Sequence, residues 1–172
     1  TLDPVVNRIQ AVAGFAHGDS THDQYAKLET LVRASSGALE RDMPAFIELM
    51  SLPETQTWPT PDLSPDDKKE WIFDTLIRNM FSLTEFEPLM ITVEDVHWID
   101  PSTQELITRV AELIPEHPIL LLMTSRPGFS ENLLDLPGLT TYEVGNLPEN
   151  YSRQMLDQVR GDTELPDGLR QS

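Results

Sequence analysis

Two adjacent acids, Glu94 and Asp95, directly follow the apolar run Leu89–Val93, and their types and spacing suit phosphate chemistry. One carboxylate at the end of a strand can reach a magnesium–phosphate complex, directly or through water. The other can orient and polarise an attacking water. Strand alternation points neighbouring side chains to opposite faces, so the two acids are not expected to do identical work. Phosphoryl transfer needs both roles, because its catalysis is mainly positioning and charge stabilisation.

A second polar group, Thr124, Ser125 and Arg126, directly follows the apolar run Ile119–Met123. A hydroxyl at this position can sense a γ-phosphate or an attacking water. The arginine can stabilise phosphate charge, lock a neighbouring domain, or merely pair with an acid at the strand end. In parallel α/β sheets, ligands gather where strands end at their carboxyl edge, so both polar groups are expected to face one site.

The elements that must position these residues follow from the hydrophobic pattern. Two short apolar runs separated by a helical segment predict parallel strands of a sheet covered by helices. A third strand is predicted over residues 141–144. Apolar spacing and capping residues predict helices over residues 3–16, 21–34, 42–50, 65–86, 101–114 and 149–159.

Three of these helix starts carry specific capping predictions. Ser64 is expected to cap the fourth helix, with Pro65 at its first position and acids in its first turn. Asp3 is expected to cap the first helix, with Pro4 at its first position. The helix after the acids begins in one of two ways. Either Asp100 is the cap, or Ser102 and Glu105 form a capping box.

The segment 89–103 resembles the Walker B segment of the STAND class of signalling ATPases, within the wider AAA-like group. It is most similar to the ATPase modules attached to class III adenylate or guanylate cyclases, and LuxR-type regulators are also similar. The segment 120–127 resembles the sensor-1 strand of that class, and a weaker similarity extends over residues 4–159. The resemblance implies a three-layer, P-loop NTPase-like parallel sheet flanked by helices.

The resemblance also implies roles for single residues. Glu94 occupies the position of the magnesium-associated acid, and Asp95 that of the catalytic, water-activating acid. Many P-loop proteins have aspartate then glutamate here, so the order is reversed. Thr124 or Ser125 is the implied sensor group, with Arg126 as its companion in binding nucleotide. ATP and Mg²⁺ are the implied cofactors.

The phosphate-binding loop of that class is absent from this sequence. It requires Gly-x-x-x-x-Gly-Lys-Ser/Thr, and none of the three lysines, Lys27, Lys68 and Lys69, follows a glycine. The family has this loop, and the central strand that leads into it, upstream of Thr1. The sheet is therefore expected to be incomplete and the chain to be a fragment. Residues 1–160 would form a partial ATPase domain, with a helical segment and proline-rich loop over 1–63 and the strands and their covering helices over 64–147. Residues 161–172 would begin the next helical segment.

Composition limits the partners of this segment. There are 12 Lys and Arg against 29 Asp and Glu, which gives a net charge of −17. This excess repels phosphate backbones, so the segment is not expected to bind nucleic acid or an anionic membrane. The sequence contains no cysteine, which fits the reducing cytoplasm. The apolar run Ile119–Met123 is far shorter than the ~20 residues that cross a membrane.

The sequence therefore predicts a nucleotide-dependent switch module that binds and hydrolyses ATP only as part of a longer protein. Its expected partners are ATP or ADP, a cyclase or transcription-factor effector and a helical domain of the same polypeptide, and a second copy in a homo-oligomer. One alternative is a degenerate ATPase that serves as an interaction or oligomerisation scaffold.

Other interpretations of the same residues stay open at this stage. Glu94 and Asp95 could be only solvated acids at a strand end. Asp95, His97 and Asp100 could instead hold a metal for a phosphohydrolase that uses no nucleotide. His97 and Trp98 are expected to be structural, with Trp98 packed under the loop and His97 hydrogen-bonded.

Overall fold

The computed structural model describes residues 1–127, 136 and 138–160. The chain is an α/β protein with a small parallel sheet. Its elements are α1 (Asp3–Ala13), α2 (Thr21–Ser35), α3 (Leu39–Leu49), α4 (Pro65–Leu83), β1 (Leu89–Val93), α5 (Pro101–Leu113), β2 (Ile119–Met123) and α6 (Glu149–Arg160). The chain divides after Leu139 into two compact units.

The main core of the first unit lies among the helices that precede the sheet. Five buried side chains from α2 and α3 form it: Leu28, Val32, Met43, Phe46 and Ile47. Trp58, from the proline-rich connection before α4, packs against this core. A smaller cluster joins Leu2, Phe73 of α4 and Leu106 of α5. This second cluster connects the helical part to the helix that supports the sheet.

Strands β1 and β2 pair in parallel, with Leu89 opposite Ile119 and Val93 opposite Met123. Because side chains alternate along a strand, each face of the sheet receives every second residue. One face packs on α5 through a cluster around Val96 and Ile107, which Val93, Leu121 and Met123 complete. Apolar burial against α5 therefore fixes the register that aligns the two strand ends.

The opposite face of the sheet is open to solvent. Met90, Leu120 and Leu122 are 64%, 60% and 49% exposed. Parallel sheets normally have both faces covered. Within the described residues, the structure shows a parallel sheet with helices on one face. This agrees with the predicted α/β class, but it is two layers of the predicted three.

The predicted strands Leu89–Val93 and Ile119–Met123 are confirmed with the same bounds, and the predicted helices are confirmed with small shifts at their ends. The predicted cap at Asp3 is wrong, because Asp3 is itself the first helical residue and Leu2 precedes the helix without a side-chain cap. Burial of Leu2 against Phe73 and Leu106 determines this start instead. The predicted strand over 141–144 is also wrong, since these residues have no strand pairing.

The second unit contains the connection after Leu139 and helix α6. Tyr142 and Val144 are 83% and 90% exposed, so the apolar side chains that suggested a strand lie in solvent. The next helical segment predicted over 161–172 lies outside the described residues. In the part of the chain that is described, no helix is both long and apolar enough to cross a membrane.

Candidate functional site

The polar residues that follow β1 and β2 meet at one edge of the sheet. Thr124 joins the two strand ends through three hydrogen bonds. Its backbone N–H donates to the Val93 carbonyl at 3.0 Å, its carbonyl accepts from the Val96 N–H at 2.9 Å, and its Oγ1 accepts from the Asp95 N–H at 3.0 Å. The structure therefore brings Asp95 and Thr124 together as the sequence predicted. Ser125 and Arg126 continue from the same strand end and are exposed.

Asp95 has a left-handed backbone, with φ of 54° and ψ of 46°. This conformation ends the strand geometry, so the expectation that alternation separates the two acids does not apply. Asp and Asn adopt the left-handed region more readily than most residues. The Asp95 side chain is 71% exposed, and Glu94 is also exposed. Both carboxylates are accessible to a ligand from solvent.

The segment between Asp95 and α5 is anchored at both ends. A short 3-10 turn covers Val96–Trp98, and Val96 is buried beneath it. Asp100 caps α5, accepting from the backbone N–H groups of Ser102 and Thr103, each at 3.1 Å. Of the two predicted starts for this helix, the Asp100 cap is confirmed. The loop that carries the acids is consequently held by a buried side chain and by a helix cap.

The environment of Asp100 favours its charged form. Partial burial on its own raises the pKa of the Asp100 carboxyl. Hydrogen bonds from the Thr103 hydroxyl, the Thr103 N–H and the Leu2 N–H outweigh burial and hold the pKa below its ordinary value. Asp100 is thus occupied as a cap and as a tie to the start of α1.

Trp98 does not pack under the loop, and that prediction is wrong. Its side chain is 73% exposed, and the Arg126 guanidinium lies over its ring at 5.6 Å from the centroid. The local reason is that Val96 fills the apolar space under the turn. Sequence reasoning missed Trp98 as a member of the site. An aromatic residue beside Ile99 is typical of packing, and no sequence signal separates the two roles.

His97 lies next to Asp95 and Trp98. Its side chain is 10% exposed, its Nδ1 is 3.9 Å from Asp95 Oδ1, and its ring is 5.2 Å from that of Trp98. Among the described residues, no three His, Cys, Asp or Glu side chains converge as metal ligands. The alternative of a metal held by Asp95, His97 and Asp100 is therefore wrong, and the cap role of Asp100 explains why.

The donor set fits a hydrated magnesium–phosphate complex better than a metal bound by protein alone. Mg²⁺ in nucleotide sites usually takes one or two carboxylates, with waters and phosphate oxygens completing its shell. Glu94 and Asp95 offer two adjacent exposed carboxylates. A cleft of about 270 Å³ lies elsewhere, at the starts of α1, α4 and α5, and none of the five predicted site residues lines it. The strand ends form an open edge that needs a further wall to enclose a ligand.

Comparison with known proteins finds a protein that is similar to this chain. A protein of Rhizobium meliloti (strain 1021), described as uncharacterized, is 28% identical over 159 residues. The match covers 89% of this chain and 15% of that protein, so the chain spans a small part of the relative's length. No family model matches the chain, and no solved structure matches it.

Proposed function

We propose that this chain is the catalytic-edge portion of a nucleotide-dependent switch, in which a longer polypeptide binds and hydrolyses ATP. The observation that carries the proposal is the junction of the two strand ends through Thr124. Three hydrogen bonds of Thr124 join the segment that follows β1 to the segment that follows β2 at the carboxyl edge of a parallel sheet. The first segment carries Glu94 and Asp95, and the second carries Thr124, Ser125 and Arg126. This is the edge at which open α/β sheets bind ligands.

Each residue then has a role in phosphoryl transfer. Glu94 would hold the waters of a magnesium–nucleotide complex, and Asp95 would orient an attacking water and accept its proton. Thr124 or Ser125 would donate its hydroxyl hydrogen to the terminal phosphate; Thr124 keeps this donor although its oxygen accepts from the Asp95 N–H. Arg126 would stabilise phosphate charge. ATP would supply the transferable phosphoryl group, and the magnesium ion bound to it would neutralise much of the phosphate charge.

The remaining parts of the site would come from another segment of the longer polypeptide. Two features support this. The sequence has no phosphate-binding loop, and one face of the sheet leaves Met90, Leu120 and Leu122 in solvent. The relative is much longer than this chain, since the match covers only 15% of its length. The finer fold that follows is a P-loop NTPase-like sheet in three layers, with its central strand supplied from outside this chain.

The test measures ATP hydrolysis by the longer polypeptide that contains this chain. Asp95→Asn is the sharpest variant, because Asn tolerates the left-handed backbone and removes only the charge. It is expected to lower kcat by about 10²-fold or more, the usual effect of losing a general base, with a nearly unchanged Kd for nucleotide. Glu94→Gln is expected to raise the magnesium concentration needed for half-maximal activity.

Glu87→Gln is the matched control, because Glu87 is an exposed acid just before β1, at the opposite end of that strand. It should leave kcat and magnesium dependence unchanged. An active protein in which Asp95→Asn and Glu94→Gln behave like Glu87→Gln would contradict the proposed roles.

The open sheet face also favours a second function, a scaffold that uses the fold for interaction without hydrolysis. Exposed apolar patches of this kind mark interaction sites. Under this alternative, Leu122→Lys in the longer polypeptide would abolish assembly, measured by light scattering. Glu94→Gln with Asp95→Asn would leave assembly and the output of the attached domains unchanged.

A further inference from the structure

Within the part of the chain that the structure describes, Arg126 forms no ion pair with an acid. Six of the described Lys and Arg side chains form ion pairs with acids: Lys27, Arg41, Lys68, Lys69, Arg78 and Arg109. Within the described residues, no carboxylate lies within 4.0 Å of the Arg126 guanidinium, although two acids end the neighbouring strand. Among the described residues, the support for this cation is of another kind.

That support is the exposed ring of Trp98, 5.6 Å from the guanidinium carbon. We propose that Trp98 is a positioning residue for Arg126. It holds the Arg126 side chain at the edge of the sheet where β1 and β2 end, and the charge and N–H donors of Arg126 stay free to bind a phosphate. The phosphate as ligand rests on the proposed function, whereas the support of Arg126 by Trp98 does not.

The choice of an aromatic support has a clear chemical consequence. A carboxylate partner would take up to two of the five N–H donors of an arginine and cancel its charge. An aromatic face attracts the cation through its quadrupole and accepts none of the in-plane N–H groups. The guanidinium is therefore oriented while it keeps the planar fork that binds phosphate oxygens in pairs.

The position of Trp98 is itself well determined. The backbone N–H of Trp98 donates to the Asp95 carbonyl at 2.9 Å, and this hydrogen bond closes the 3-10 turn. The buried side chain of Val96 anchors the turn in the core. Because the turn begins at Asp95, the acid proposed to activate water and the arginine support belong to one short segment. The indole contributes little to the core, since 73% of it is exposed. Replacing it should change the site without unfolding the protein.

The first experiment needs no nucleotide. The emission spectrum of Trp98 is obtained by subtracting the spectrum of Trp98→Phe from that of the wild type, which removes the contribution of Trp58 and Trp71. The same subtraction is made in the presence of Arg126→Met. Arg126→Met should shift the intensity or wavelength of this difference spectrum, because the cation leaves the ring. An unchanged difference spectrum would show that Arg126 does not lie on Trp98 in solution and would overturn the proposal.

The second experiment is a double-mutant cycle on magnesium–ATP binding by the longer polypeptide, with Trp98→Leu and Arg126→Met. Trp98→Leu should raise Kd about 2- to 5-fold, the equivalent of an exposed cation–π contact. When Arg126→Met is already present, Trp98→Leu should raise Kd no further. Trp98→Phe, which keeps an aromatic ring, should give a Kd close to that of the wild type. Phe86→Leu, at an aromatic side chain that is 76% exposed, is the control and should leave Kd unchanged.

The outcomes separate this proposal from the proposed function. If the wild-type polypeptide binds no nucleotide, the proposed function fails, while the fluorescence experiment still decides whether Trp98 supports Arg126. If binding occurs and the two substitutions act additively, Trp98 is no positioning residue for Arg126. If Trp98→Leu leaves Kd unchanged and abolishes assembly instead, Trp98 belongs to a protein interface and the proposal is overturned.

Discussion

Replacement of Asp42 by alanine should destabilise the helical part of this chain more than any surface substitution. The Asp42 carboxylate has no exposed surface and accepts hydrogen bonds from three helices or their ends. Its donors are Ser36 Oγ at 2.5 Å, Arg41 Nε at 2.7 Å, Asn79 Nδ2 at 2.9 Å and Arg78 Nη2 at 3.1 Å. Asp42→Ala leaves these donors, including two cations, without their acceptor.

The expected cost follows from the burial of this group. Leaving buried hydrogen-bond donors without their acceptor typically costs about 1–3 kcal/mol. The two guanidinium groups add little to this cost, because Arg41 and Arg78 are 51% and 37% exposed and can be hydrated. With a urea m-value of about 2 kcal/mol/M, the midpoint of unfolding should fall by roughly 0.5–1.5 M. Asp42→Asn should recover only part of this loss, because its amide NH₂ would face donors of Arg41 and Arg78.

Urea unfolding followed by far-ultraviolet circular dichroism measures this effect. Asp74→Ala is the matched control, since Asp74 is an exposed acid on α4, the helix that also carries Asn79. Its substitution should change stability by less than about 0.5 kcal/mol. If Asp42→Ala unfolds at the same urea concentration as Asp74→Ala, the interpretation of Asp42 as the junction of three helices is wrong.

The same residue predicts a pH dependence of definite sign. Burial on its own raises the pKa of Asp42, but hydrogen bonds from Arg41, Ser36, Asn79 and Arg78 outweigh burial and lower it well below its ordinary value of 3.8. A lowered folded-state pKa stabilises the protein above the unfolded-state pKa, and this stabilisation is lost as pH falls below about 3.8. The difference in unfolding free energy between wild type and Asp42→Ala should therefore be constant near neutral pH and shrink below pH 4. A difference that grows on acidification would contradict this assignment.

Three further substitutions test the sheet and its edge. Asp100→Ala should cost about 1–2 kcal/mol by urea unfolding, because α5 loses its cap, whereas Asp100→Asn should retain most of the stability; equal effects would contradict the cap. Thr124→Val should cost about 0.5–1.5 kcal/mol and speed hydrogen exchange at the Asp95 amide, while Thr124→Ser should not. Leu122→Lys in this chain should leave unfolding free energy within about 0.5 kcal/mol and reduce self-association; a large destabilisation would mean that this sheet face is buried.

The strands and α5 could be predicted from the sequence because their signals are local. Each strand is a five-residue run that is wholly apolar in β2 and apolar except for Thr92 in β1, and polar residues follow directly. Asp100-Pro101 is a start signal that acts within one helical turn. The cap at Asp3 failed for a non-local reason. Leu2 is held by Phe73 and Leu106, which are distant in sequence. No local pattern announces such a contact.

The edge of the sheet could be predicted only in part. The pairing of Asp95 with Thr124 follows from parallel strands whose ends are level. The left-handed conformation of Asp95 and the exposure of Trp98 occur in a turn whose buried position is taken by Val96, and no local sequence pattern announces either of them. The segment 141–144 has the composition of a strand, but a strand needs a neighbour, and its partner is not determined by its own residues.

Calorimetric titration with magnesium–ATP tests the central claim most directly. It should be made on this chain and on a polypeptide that adds about 100 residues, the size of a small domain, before Thr1. We expect no binding by the chain alone. We expect magnesium-dependent binding by the longer polypeptide, which Glu94→Gln should weaken. If the added segment lacks a Gly-Lys-Ser/Thr loop and the longer polypeptide binds no nucleotide, the assignment of an ATP-dependent switch is contradicted.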